Sequence, residues 1–96
     1  MITSKQRAYL RSLANSIDTI LIVGKGGIST ELIKQASDAL LARELVKGKV
    51  LETAGEEAKK FATIIAQQTS SEVVSVIGSK FILYKKNSKT PKIILP

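Results

Sequence analysis

Leu10, Leu13, Ala14 and Ile17 recur at the three- and four-residue spacing that lines one side of an α-helix. Thr3 and Gln6 stand ahead of this stripe at the spacing of a capping box, so the pattern predicts a helix over 4–16. On its wheel Arg7 and Arg11 share one flank of the stripe, with Lys5 and Tyr9 on the other. Thr19 to Val23 is a β-branched run ending at Gly24-Lys25-Gly26-Gly27, the pattern of a buried strand closed by a glycine turn. Ser29 offers an N-cap, with Glu31 in the first turn, for a helix to about Arg43. This helix would bury Leu32, Ile33, Ala36, Ala39 and Leu40 and turn Lys34 and Asp38 outward. From Leu45 to Leu51 the chain alternates, with Val46 and Val50 on one face. Lys47 and Lys49 share the other face and read as a solvated stretch of strand rather than a second site. Thr53 and Glu56 form another capping box, for a helix through Ala58, Phe61, Ala62 and Ile65 to about Thr69, although Gly55 weakens its first turn. Glu72 to Ile77 and Phe81 to Lys85 are β-rich runs joined by Gly78-Ser79, suited to a type II′ hairpin.

The order α-β-α-β-α-β-β predicts a compact α/β sandwich on a four-stranded mixed sheet. The strand-helix-strand units favour parallel pairing where their strands are adjacent, and the hairpin adds an antiparallel edge. Ile20 to Val23 and Val73 to Ile77 are apolar on both faces and call for cover from two sides, part of it from the first helix. The chain of 96 residues makes one domain, 1–96, that removes about 60 to 65% of its unfolded surface from water. Within it, residues 86–96 form a basic C-terminal tail that closes on the apolar patch Ile93 to Leu95.

Composition narrows the chemistry. There is no His and no Cys, which removes the thiol nucleophile, the Ser-His triad, the usual zinc site and the disulfide framework. Neither an enzyme nor a bound metal, cofactor or small-molecule substrate is expected, because no base is placed to activate the Ser, Thr or carboxylate groups. No apolar run reaches the length of about 18 residues needed for a membrane span. A soluble, cytoplasmic monomer is the expectation.

Fifteen Lys and Arg against eight Asp and Glu give a net charge of +7, and the excess is segregated. Residues 1–30 carry Lys5, Arg7, Arg11 and Lys25 against Asp18, residues 31–84 balance seven of each sign, and the stretch from Lys85 adds Lys85, Lys86, Lys89 and Lys92 with no acid. If the two ends meet in space they make a positive patch suited to a polyanion, whereas apart they would serve solubility alone.

The glycine loop is the most chemically suggestive local feature. Glycine allows close backbone approach, the helix start that follows favours an anion at its amino end, and Lys25 places a cation at the tip. The expected arrangement has the amides of Gly26 and Gly27 and the start of the second helix receiving a phosphate, as the Gly-x-x-Gly loop does in KH-type domains. Neither a P-loop nor a dinucleotide fingerprint fits, since Ser29 stands where a third glycine is required. Taken alone, the loop suits a structural turn equally well, and Arg7 with Arg11 suits a solvated helix flank.

Together these segments resemble the YhbY-like family, the stand-alone form of the CRM domain (chloroplast RNA splicing and ribosome maturation). The similar elements are Ile2 to Ala14, Ile22-Val23-Gly24-Lys25-Gly26-Gly27-Ile28, Ala42-Arg43-Glu44-Leu45-Val46-Lys47, Glu72 to Gly78, Leu83-Tyr84 and Lys92-Ile93-Ile94-Leu95-Pro96. The resemblance spans essentially the whole chain. It implies a fold similar to the C-terminal domain of translation initiation factor three, RNA binding, and association with large-subunit ribosomal precursors. Carried over by position, it places the RNA-binding loop at Gly24, Lys25, Gly26 and Gly27 and the adjoining basic surface at Lys5, Arg7 and Arg11, with Lys34 and Lys85 completing the candidate set. Two departures stand out: Gly48 where the family usually has a β-branched residue, and Lys85 where Arg is common. Gly48 hints at a bulge, and Lys85 keeps charge without Arg's planar fork.

The expected function is therefore a non-enzymatic RNA-binding module acting on ribosomal RNA during large-subunit assembly. The alternative is a protein-interaction adaptor whose basic surface meets an acidic ribosomal or translation partner. With four aromatic residues in the chain, backbone and shape readout should dominate, leaving Tyr9 as the plausible stacking platform.

Overall fold

The computed structural model describes residues 2–87 and 93–96, so Lys89 and Lys92 of the basic tail lie outside the described residues. The elements run α1 (Ser4–Ala14), β1 (Thr19–Val23), α2 (Thr30–Arg43), β2 (Leu45–Val50), a 3-10 turn (Glu52–Ala54), α3 (Ala58–Thr69), β3 (Glu72–Ile77) and β4 (Lys80–Tyr84). The α/β order read from the sequence holds, and both bonds of the Thr3–Gln6 capping box are made. Ser29 Oγ accepts from the Leu32 amide at 3.1 Å, as an N-cap should.

The second capping box does not form. Gly55 takes a left-handed conformation at φ +79 and closes the 3-10 turn, with its amide donating to the Glu52 carbonyl. Helix α3 therefore starts afresh at Ala58 behind Glu57, which makes no side-chain cap bond. At the other helix limit, α1 stops at Ala14 rather than 16, because the Asn15 and Ser16 amides turn back onto the Ser12 and Leu13 carbonyls.

The sheet order is β1-β2-β4-β3. β1 and β2 are parallel, and β4 runs antiparallel to both β2 and β3. The hairpin thus does not simply extend an edge: β4 is interior, with Phe81 and Leu83 wholly buried, and β3 is the outer strand. Its two-residue turn has Gly78 at φ +60 and no positive φ at Ser79, the type II′ combination. β2 carries no bulge at Gly48; the register shift lies opposite, in β1 between Thr19 and Leu21.

Two cores flank the sheet. Leu21, Val23, Leu40, Ile65, Phe81 and their neighbours fill the side under α2 and α3. On the other side Leu10 and Ala14 of α1 close over Leu45, Val74 and Tyr84, joined by Ile93 and Leu95 of the C-terminal segment. Each large side chain wholly withdrawn from water contributes about 1.5–3 kcal/mol. The ends of the chain do meet, since Gln6 Nε2 donates to the Pro96 carbonyl at 3.2 Å.

The two-sided cover expected for β1 and β3 is incomplete. Helix α1 has 11 residues and packs on β2 and β3, so Ile22 stays 51% exposed and Ile77 71%. In the covered half, the buried Tyr84 hydroxyl has no hydrogen-bond partner among the described residues. Burial foremost, then the Glu44 and Glu72 carboxylates, raise its pKa above the usual 10.0. The neutral phenol is thereby favoured in the folded state, so stability tied to it is complete below the unfolded pKa and is lost as pH rises through the folded one. Tyr84→Phe should gain about 1 kcal/mol at neutral pH by removing an unpaired polar atom. Above pH 10 its denaturant midpoint should fall less steeply than that of the wild type, and parallel curves would refute this account.

Candidate nucleic-acid interface

The glycine loop closes as a tight turn, with the Gly27 amide donating to the Gly24 carbonyl at 2.9 Å. This corrects the expected role of Gly27: its N–H is already committed, and its φ of +63 shows that the residue supplies geometry rather than a donor to phosphate. Lys25 and Gly26 form the exposed tip, and nothing among the described residues lies within 4 Å of where a Cβ on Gly26 would sit. Beyond the turn, Ser29 caps α2, whose first amides at Thr30 and Glu31 have no intrahelical acceptor. An open anion-receiving end thus consists of the Gly26 tip, the Lys25 ammonium and the first turn of α2. Glu31 is the opposing charge there, exposed and free to swing away.

A shallow groove of about 530 Å³ follows from the loop along α2. Ser29 and Thr30 hydroxyls and exposed Lys34 line its near end, and Asp38 and Gln68 its far end. Lys34 thus lines the same groove as the start of α2.

The first helix does not. Arg7 Nη1 donates to the carbonyls of Val73 at 2.6 Å and Val74 at 2.7 Å, where the register of β3 shifts. A bulge leaves backbone acceptors without ladder partners, and the guanidinium satisfies two of them. The flank expected to show two guanidinium groups side by side thus shows Arg11 exposed and Arg7 partly buried. The anchored group is also remote from the loop. Val73 lies level with Val46 through Leu83, whereas Val23 pairs with Val50, about 13 Å further along the strand direction. Lys5 and Arg11 remain exposed on α1, on the sheet face opposite α2.

Two further lysines have structural bonds. Lys85 Nζ donates to the Thr69 carbonyl at 3.0 Å, where its charge also suits the negative end of α3. Lys47 Nζ reaches the Ala14 carbonyl at 3.3 Å, so half of the pair read as a solvated strand face serves the end of α1 instead. Sequence reasoning also missed Glu44. Wholly buried, it accepts from the Asn87 amide at 2.6 Å and the Ile93 amide at 2.7 Å, fastening the C-terminal segment over the sheet.

Among the described residues no group of three or more His, Cys, Asp or Glu could hold a metal ion, and no helix is long and apolar enough to cross a membrane.

The chain is 40% identical over its full length, and that of its relative, to the probable RNA-binding protein YqeI of Bacillus subtilis. It is 28% identical to an RNA-binding protein of Haemophilus influenzae, covering 99% of this chain and 95% of the other. The solution structure of the hypothetical protein SAV1595 from Staphylococcus aureus superimposes with a TM-score of 0.81 at 43% identity, covering both chains completely. Residues 2–85 match the CRS1 / YhbY (CRM) domain, and with the glycine turn, its capped helix and the mixed sheet all in place the chain belongs to that family.

Proposed function

We propose that this protein is a non-enzymatic RNA-binding module that acts in the cytoplasm on ribosomal RNA in large-subunit precursors. The observation that carries the reading is the exposed Lys25–Gly26 tip set before the capped start of α2, with Lys34 along the same groove. Its geometry offers one backbone amide, a helix terminus and two mobile ammonium groups to a phosphodiester chain. The names of the bacterial relatives support RNA as the polyanion.

Binding of ribosomal RNA fragments measured across salt concentrations tests this. Lys25→Ala with Lys34→Ala should reduce the slope of log K against log salt by about 1.4, at about 0.7 for each lost phosphate contact on a single strand. Arg7 is left in place because its guanidinium supports β3. A folded double variant with wild-type affinity and slope would overturn the assignment. Association with precursor particles that survives nuclease treatment would instead favour an acidic protein partner.

A further inference from the structure

One row of four residues crosses the sheet on the face that α1 leaves open. Ile22 of β1 pairs with Lys49 of β2, Lys49 with Lys80 of β4, and Lys80 with Ile77 of β3. Residues paired directly across strands point to the same face. That face is the one bearing α1, because Leu45 and Lys47, which alternate with Lys49 along β2, meet the helix. All four side chains are exposed.

The two central residues work against the fold. Like charges directly opposite on antiparallel strands repel, at a Cα separation of about 4.5–5.5 Å, and destabilise the pairing. No carboxylate among the described residues forms an ion pair with Lys49 or Lys80. The flanking isoleucines are also anomalous, since large apolar side chains in a sheet normally have cover. An apolar partner alone would gain nothing from the lysines, and solubility alone would not call for the isoleucines. A strand carrying both phosphates and apolar sugar and base faces uses all four.

Position supports the same occupant. Ile22 lies two residues before Gly24, and the Leu51 amide donates to the Val23 carbonyl at 2.8 Å, so the row sits immediately below the glycine loop. We infer that the row Ile22–Lys49–Lys80–Ile77 is a second contact for the same RNA strand, the lysines taking a phosphate between them and the isoleucines the neighbouring sugars or bases. This rests on the RNA-binding reading above and extends it from the loop onto the open sheet.

Fluorescence titration of wild type and variants with oligouridylate tests the inference, with polyglutamate as a second polyanion. Lys49→Ala with Lys80→Ala should cut the salt slope by about 0.7, for the one phosphate the pair holds, and affinity at 0.1 M salt by about 5-fold, the same slope carried down from 1 M. Thermal stability should not fall, because a repulsive pair is removed. Lys80→Glu should raise the melting temperature by creating a cross-strand ion pair while weakening RNA binding, opposite signs that a merely structural lysine would not give. Ile22→Ser with Ile77→Ser should weaken oligouridylate binding without changing the salt slope. If wild type binds and the lysine pair variant binds equally well, the inference falls while the loop assignment stands. If wild type does not bind oligouridylate or ribosomal RNA, both fall. Equal losses toward polyglutamate would mark an unselective cationic surface and overturn the assignment of RNA to this row.

Discussion

Glu44→Ala is expected to cost about 3–6 kcal/mol, from two charge-assisted hydrogen bonds worth about 1.5–3 kcal/mol each. The carboxylate is wholly buried and receives the amides of Asn87 and Ile93, while its own amide donates to the Leu40 carbonyl at 2.8 Å and its carbonyl accepts from Lys85 at 2.9 Å. One residue thus ends α2, begins β2, and fastens a segment 49 positions away. It does so at φ +65, a conformation that costs a side-chain-bearing residue about 1–3 kcal/mol and persists only where surrounding bonds hold it. That strain gives a second, discriminating variant. Glu44→Gly loses the same acceptors but relieves the backbone, so it should be about 1 kcal/mol less damaging than Glu44→Ala. In both, hydrogen exchange at the Asn87 and Ile93 amides should rise well beyond the change at β4. Retained protection of both amides in Glu44→Ala would show that the carboxylate is not what holds the segment.

Glu44 also shows what could and could not be read from the chain. The Thr3–Gln6 box, the Ser29 cap and the Gly78 turn were legible because each is settled within four residues by backbone bonding. The Thr53–Glu56 box has the same local signature and fails, since Gly55 between its members adopts a left-handed turn instead. Long-range facts had no such signal. Arg7 carries the pattern of a solvated flank, and only the folding of β3 66 residues away turns it into a support for a bulge. The candidate site divides along the same line: loop, Lys25 and Lys34 follow from one contiguous stretch, whereas the Lys49–Lys80 opposition exists only once β4 is inserted beside β2. A hairpin at the end of the chain gives no hint of that insertion, which brings Phe81 opposite Gly48.

That meeting sets the other large effect. Gly48 and Phe81 are paired across β2 and β4, and a Cβ on Gly48 would lie 2.2, 2.6 and 2.7 Å from three atoms of the Phe81 ring. The ring is wholly buried, so it has no free volume into which to retreat. Gly48→Val should therefore destabilise by about 3 kcal/mol, the upper end for overpacking a core, although valine has the better strand propensity by up to about 1 kcal/mol. Phe81→Ala alone should cost about 3–5 kcal/mol through the cavity it leaves. Combined, the two changes exchange volume across the same pair, and the valine fills part of the space the ring vacates. The double variant should be no less stable than Phe81→Ala, a coupling of about 3 kcal/mol, the top of the range for contacting residues. Urea unfolding of the four proteins measures this, and additive losses would show that the ring does not occupy the glycine's place. In this chain the Phe81 ring takes the place of a side chain at Gly48 on the α2 and α3 side, and the same register sets Lys49 opposite Lys80 on the open one.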